Sequence, residues 1–137
     1  DIIGTNGGKS DFWKRVLEDY KTRQVVFDAK NFEELGPSEY RQLQSYLTGP
    51  YGKLGFIINR EESEALKSGR DLDWTKEMYQ SHNSLIIKLP AKYISKLLQK
   101  LRNPEKHDAI DSQMGKLLTL YETSYMAIKS TQKKRRK

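Results

Sequence analysis

The stretch RQVVFDAK, residues 23–30, places two opposite charges directly behind a run of β-branched and aromatic residues. Such a run is typical of a buried strand, and similar runs occur at 53–59 (KLGFIIN) and 84–89 (SLIIKL). Amphipathic helical patterns separate these runs. Strands that alternate with helices predict an α/β domain with a parallel or mixed sheet flanked by helices.

Helical patterns lie on both sides of that stretch. Ser10 is a candidate N-cap for a helix over 11–21, and a second helix is expected to follow Gly36-Pro37 and to end at Gly49-Pro50. Residues 61–82 predict one or two short helices. A helix over 91–101 is expected to open with Pro90 at its first position. The final helix carries an apolar face at 3.6-residue spacing, formed by Ile110, Met114, Leu117, Tyr121 and Ile128.

Length and composition favour one domain with a modest core. The chain has 137 residues, 36% of them apolar, and a formal charge of +7. Six of its basic residues lie in 129–137, which holds no acidic residue, so we expect a domain over 1–128 and a disordered basic tail over 129–137.

The absence of cysteine excludes disulfides and thiolate metal clusters. No apolar run approaches the length of a membrane span, which predicts no membrane partner. The lack of cysteine suits a reducing compartment, and we expect a cytoplasmic protein.

Asp28 and Lys30 carry the sharpest chemical signal. Residues i and i+2 of a strand face the same side, so these two side chains project together at the end of a buried strand. If Asp1, on a short strand over 1–3, lies beside them, two carboxylates and an ammonium group converge. Such a set suits Mg²⁺, or Mn²⁺ as a substitute, bound through carboxylates, water and substrate phosphate. The alternative interpretation is an ion pair on the surface at the end of the strand.

These residues resemble the PD-(D/E)XK restriction-endonuclease-like superfamily, and in particular bacterial restriction-endonuclease-related proteins. The resemblance rests on DII at 1–3, DAK at 28–30 after a hydrophobic strand, and QLQSY at 42–46, and it weakens beyond residue 60. It implies a mixed β-sheet flanked by helices and Mg²⁺-dependent hydrolysis of DNA phosphodiester bonds, in microbial defence or restriction. It also implies a metal at Asp1 and Asp28, and catalytic roles for Asp1, Asp28, Lys30, Gln42 and Tyr46.

The sequence departs from the family pattern before Asp1. The proline that would precede Asp1, the usual upstream helix and strand, and an initiator methionine are all missing from these 137 residues. We therefore expect 1–128 to be the C-terminal part of a nuclease domain. Its expected partners are DNA and a complementary N-terminal segment or a larger parent protein.

A lysine stripe provides a candidate nucleic-acid surface. Lys92, Lys96 and Lys100 recur at four-residue spacing within 88–106, a segment of net charge +5. Ammonium groups in such a row can neutralise DNA phosphates, which makes affinity fall steeply with salt. The same pattern also fits an ordinary solvated helix face.

Two other functions stay open. A catalytically inactive module with a nuclease-like fold could bind DNA or a partner protein. A P-loop-like nucleotide site is the third hypothesis, because GTNGGKS at 4–10 follows a strand and precedes a helix. That loop is one residue shorter than the P-loop motif, which disturbs the row of backbone N–H groups that wraps a phosphate.

Overall fold

The structure, a computed structural model, describes residues 2–31, 35–60 and 69–125, with the backbone alone at positions 69, 70, 98, 100, 101, 124 and 125. The strands in this part of the chain are β1 (Ile2–Thr5), β2 (Gln24–Ala29), β3 (Leu54–Asn59) and β4 (Leu85–Pro90). Its α-helices are α1 (Asp11–Tyr20), α2 (Pro37–Tyr46), α3 (Gly69–His82), α4 (Ala91–Leu101) and α5 (His107–Leu120). Short 3-10 turns lie at Gly49–Tyr51 and Pro104–Lys106, and a π-helical turn lies at Tyr121–Tyr125.

The strands form one mixed sheet in the order β1-β2-β3-β4. β1 runs antiparallel to β2, whereas β2, β3 and β4 are parallel to one another. Parallel neighbours need a crossover connection, and α2 and α3 lie in the two crossovers. The predicted α/β domain, with a mixed sheet flanked by helices, is therefore confirmed.

Each face of the sheet has its own hydrophobic core. Val25 and Phe56 belong to a cluster with residues of α1, α4 and α5. Val26 and Ile57, one position further along each strand, belong to a second cluster with residues of α2 and α3. Because helices cover both faces, the strands carry continuous apolar runs instead of alternating polar and apolar residues. The site residues described below share the face of α2 and α3.

The helix boundaries follow local capping chemistry. The hydroxyl of Ser10 accepts a hydrogen bond from the backbone N–H of Trp13 at 3.5 Å, as expected of an N-cap. At the start of α2, the carboxylate of Glu39 accepts a hydrogen bond from the backbone N–H of Gly36 at 3.2 Å, and Pro37 is the first helical residue. The predicted starts of both helices are confirmed.

Other predicted boundaries need correction or lie outside the described residues. Pro90 is the last residue of β4, opposite Asn59, so the prediction that it opens α4 is wrong. Proline, which has no backbone N–H, is tolerated there because β4 lies at the edge of the described sheet. On an edge strand, the N–H groups that point away from the neighbouring strand form no ladder hydrogen bonds. In the segment predicted to hold one or two short helices, α3 covers 69–82, while 61–68 lie outside the description. Ile128 and the tail at 129–137 lie outside it too.

A buried carboxylate joins α1 to the end of the described chain. Glu122 is 1% exposed and accepts hydrogen bonds from Arg15 and from the hydroxyl of Tyr20, both at 2.5 Å. Arg15 also donates to the hydroxyl of Thr119 at 3.1 Å. These contacts between residues about a hundred positions apart fix the C-terminal turns against the first helix.

Candidate functional site

Asp28 is a buried carboxylate near the carboxyl end of β2. It is 1% exposed and lies opposite Ile57 of β3, on the face covered by α2 and α3. Neither carboxylate oxygen accepts a hydrogen bond from any residue that the structure describes. Burial of a charged group without such bonds is costly, so it calls for a compensating cation.

Lys30 supplies one such cation. Its Nζ lies 3.3 Å from Asp28 Oδ1, close enough for an ion pair although the geometry is not that of a hydrogen bond. The Lys30 side chain is 18% exposed, so its ammonium group lies between the buried carboxylate and solvent. The predicted convergence of Asp28 and Lys30 is therefore observed, and the interpretation as a surface pair is wrong for Asp28, because its carboxylate is buried.

Helix α2 brings Gln42 and Tyr46 to the same place. Lys30 Nζ donates a hydrogen bond to Gln42 Oε1 at 2.8 Å, and Gln42 Nε2 donates to the hydroxyl of Tyr46 at 3.4 Å. The two residues are four positions apart and share one helix face, as predicted. Asp28, Lys30, Gln42 and Tyr46 thus form a continuous chain of polar contacts that runs from the core to the surface, where Tyr46 is 37% exposed.

Asp1, the second predicted metal ligand, lies outside the described residues. The ladder between β1 and β2 begins with Ile2 opposite Phe27, which directly precedes Asp28. The described end of β1 therefore pairs with the residue that precedes Asp28.

The residues present are compatible with a divalent cation of the Mg²⁺ type. Mg²⁺ is typically bound through one or two carboxylates, with water and substrate phosphate as its other ligands. The two buried oxygens of Asp28 without hydrogen-bond donors match the chemistry of such a ligand. Within the described ranges, no group of three histidine, cysteine, aspartate or glutamate side chains is placed to hold one metal ion.

A second buried polar cluster was not predicted. Lys88, at 3% exposure, donates a hydrogen bond to Asp71 at 2.5 Å, and Asp71 also accepts one from the hydroxyl of Tyr40 at 2.9 Å. Burial and the adjacent Asp71 carboxylate raise the pKa of Tyr40 far above its ordinary value. Lys88 lies in the basic segment at 88–106, but its position inside an apolar strand run was the available signal that it is buried.

Asn59 is a further candidate that the sequence analysis missed. It ends β3, is 1% exposed, and faces the same side of the sheet as Ile57, the partner of Asp28. The backbone N–H of Lys30 donates to the carbonyl of Ile58 at 2.7 Å, so the parallel ladder continues to the level of Asn59. A polar residue that ends a buried strand was the available signal, as it was for Asp28.

The predicted nucleic-acid residues lie on α4, which directly follows the carboxyl end of β4. Lys92 and Lys96 are exposed, and the side chain of Lys100 lies outside the described part of the structure. Lys96 and Lys106 line a cleft of about 400 Å³ beside the turn that follows the helix. Lys92 and Lys96 therefore reach solvent, whereas Lys88 of the same basic segment is buried.

The glycine-rich loop after β1 is held by a buried asparagine. Asn6 donates hydrogen bonds to the carbonyls of Trp13 and Thr22 at 3.0 Å, and its Oδ1 accepts one from the N–H of Gly8 at 2.9 Å. A P-loop instead directs such N–H groups at a phosphate. The loop also follows an antiparallel strand, at the end of the sheet opposite to Asp28. These contacts explain the loop without a nucleotide.

Comparisons with known proteins match the chain to part of a longer protein. No family model matches the sequence, and no solved structure matches it. None of the helices in the described ranges is long and apolar enough to span a bilayer. Over all 137 residues the chain is 97% identical to a protein of Escherichia coli (strain K12) whose provisional name is transposon gamma-delta 80.3 kDa protein. The chain spans 20% of the length of that relative, which agrees with the prediction of a larger parent protein.

Proposed function

We propose that this domain is a Mg²⁺-dependent endonuclease of the restriction-endonuclease-like type, which hydrolyses phosphodiester bonds of DNA. The observation that carries the proposal is the buried carboxylate of Asp28, which accepts no hydrogen bond from the described residues and lies 3.3 Å from the ammonium group of Lys30. A structural ion pair at a strand end would be expected to bring hydrogen-bond donors to the carboxylate.

Each residue has a separate role in this proposal. Asp28, with Asp1 as the resemblance implies, would hold the metal ion, which would offset phosphoryl charge and acidify a water molecule. Lys30 would donate a hydrogen bond to the attacking water or to a phosphoryl oxygen. Gln42 would orient the ammonium group of Lys30 through their 2.8 Å hydrogen bond, and Tyr46 would hold the amide of Gln42.

DNA is the proposed substrate for two reasons. The name of the Escherichia coli relative refers to a transposon, which is a DNA element. Exposed lysines on α4 add sites that can neutralise backbone phosphates. A cytoplasmic setting and a role in microbial defence or restriction belong to the same proposal.

The test is DNA cleavage with Mg²⁺ or Mn²⁺, by the 137-residue chain and by the longer relative, with Lys30→Ala in both. We expect Lys30→Ala to abolish cleavage and to leave the melting temperature near that of the wild type. Lys14→Ala, which changes an exposed lysine of α1, serves as the matched control and should cut normally. Intact cleavage by the Lys30→Ala protein would contradict the proposal.

Calorimetry separates this enzyme from a catalytically inactive binding module. The enzyme should bind Mn²⁺, and Asp28→Asn should lose that binding without loss of the fold. Salt-sensitive DNA binding by a protein that binds no divalent metal would favour the inactive module instead.

A further inference from the structure

The two edges of the sheet are protected very differently. β4, at one edge, contains the inward-pointing charge of Lys88 and ends in Pro90, and the hydroxyl of Tyr121 accepts a hydrogen bond from the backbone N–H of Lys88 at 3.2 Å. Buried charges, proline and a covering group are the features that keep edge strands from pairing with other chains. The β4 edge is therefore closed.

β1, at the other edge, has none of these features. Its sequence, IIGT, contains neither a charged residue nor proline. Ile2 is 63% exposed and Ile3 is 52% exposed, although they point to opposite faces of the sheet. Among the residues that the structure describes, no strand pairs with its outer side. Within the described ranges, β1 therefore exposes one isoleucine on each face and an unpaired outer edge.

A cleft of about 500 Å³ adjoins this strand on the side of α1. Trp13, Val25 and Phe27 provide its apolar wall, and Gly4 contributes backbone without a side chain. A Cβ atom at Gly4 would lie 4.0 Å from the Phe27 ring, in ordinary contact. The open strand and the cleft together form one apolar surface, which we call the β1 surface.

We propose that an extended segment from another part of the longer protein pairs with the outer edge of β1 and places apolar side chains against the β1 surface. Addition of a strand to an open sheet edge obtains affinity from main-chain hydrogen bonds and specificity from pockets for alternate side chains. Such a segment would cover Ile2 and Ile3 on the two faces at once.

A segment of the same chain fits this surface better than a second copy does. β1 has four residues, so it is roughly 13 Å long, and a stable dimer interface needs on the order of 1,200 Å². A tethered segment needs far less area, because the linker raises its effective concentration to the order of mM. The relative offers ample length, since this chain spans 20% of it.

Amide hydrogen exchange tests the proposal in the 137-residue chain and in the longer Escherichia coli relative. We expect the amides of Ile2–Thr5 to exchange at least roughly tenfold more slowly in the longer protein than in the 137-residue chain. The exchange rates of the β3 amides should differ little between the two proteins. Equal exchange of β1 in both proteins would overturn the proposal. Protection that rises with the concentration of the 137-residue chain would also overturn it, because it would identify a second copy as the occupant.

A pair of matched variants in the longer protein tests the contact itself. Ile3→Lys should remove the extra protection of β1, because it places a charge on the surface that the segment covers. Leu120→Lys, on an exposed apolar residue of α5, should leave that protection unchanged. Protection that persists in Ile3→Lys would contradict the proposal, and normal exchange of β3 would show that this variant is folded.

Discussion

Asp28 shows how a single residue can be costly to the fold and useful to function. A buried carboxylate normally accepts several hydrogen bonds. The Asp28 oxygens accept none from the described residues, and Oδ1 lies 3.3 Å from the ammonium group of Lys30. Replacement of a whole buried ion pair by neutral groups is often neutral or stabilising, whereas removal of one partner is destabilising when the other charge stays buried and unpaired. The Lys30 side chain is 18% exposed and hydrogen-bonded to Gln42, so removal of the Asp28 charge does not leave it in that state. Such an environment is the one that the proposed metal site requires of Asp28.

We predict that Asp28→Asn raises the free energy of unfolding by about 1 kcal/mol in the absence of divalent metal. The carboxamide keeps the volume of the side chain and removes the buried charge, and Lys30 keeps its hydrogen bond to Gln42. Urea unfolding at neutral pH measures the difference. Mg²⁺ should stabilise the wild type and leave the variant unchanged, since only a protein that binds the ion gains stability from it. A variant clearly less stable than the wild type would identify Asp28 as a structural residue.

At the scale of elements, buried tyrosines hold helices to the rest of the fold. The hydroxyl of Tyr20 in α1 donates to Glu122 after α5, and the hydroxyl of Tyr40 in α2 donates to Asp71 in α3. Burial, and then the neighbouring carboxylate, raise the pKa of both hydroxyls well above the ordinary value of about 10. Each link therefore depends on a protonated hydroxyl.

This arrangement predicts a loss of stability at alkaline pH. Below about pH 10 both tyrosines are protonated in the folded and unfolded states, so their contribution is complete. Above it the unfolded chain releases these protons and the folded chain keeps them, so stability falls by up to about 1.4 kcal/mol per pH unit for each tyrosine. Urea unfolding between about pH 9 and pH 12 should show a shallower decline in Tyr20→Phe and in Tyr40→Phe than in the wild type. Parallel profiles would contradict this assignment.

Sequence patterns predicted the elements well because their signals are local. The apolar runs of β2, β3 and β4 and the caps at Ser10 and Gly36 each lie within a few residues of the element that they define. The same holds for Asp28 with Lys30, which are two positions apart at the end of one strand. In contrast, the Lys88–Asp71 pair joins a strand to a helix 17 positions earlier, and Arg15 contacts Glu122 107 positions away. Such pairings depend on how the helices dock, which no local pattern specifies.

For the whole molecule, the position of each charge matters more than the net charge of +7. Lys88 is buried in an ion pair and therefore cannot contact a polyanion. Lys92 and Lys96 are exposed on α4, and Arg102 and Lys106 of the same basic segment are exposed after it. The salt dependence of DNA binding measures how many such contacts form, because each neutralised phosphate releases bound counterions.

We predict that the double variant Lys92→Gln/Lys96→Gln binds duplex DNA more weakly. The slope of the logarithm of the association constant against the logarithm of salt concentration should become shallower by about 1.8, since each phosphate contact contributes about 0.9. Fluorescence anisotropy over a salt series measures this slope. Lys76→Gln/Lys116→Gln, which removes two exposed lysines from α3 and α5, is the control with the same change in net charge. If both double variants reduce the slope equally, the lysines of α4 act only through net charge. A reduction confined to the α4 variant would show that DNA lies along this helix, which begins directly after the carboxyl end of β4.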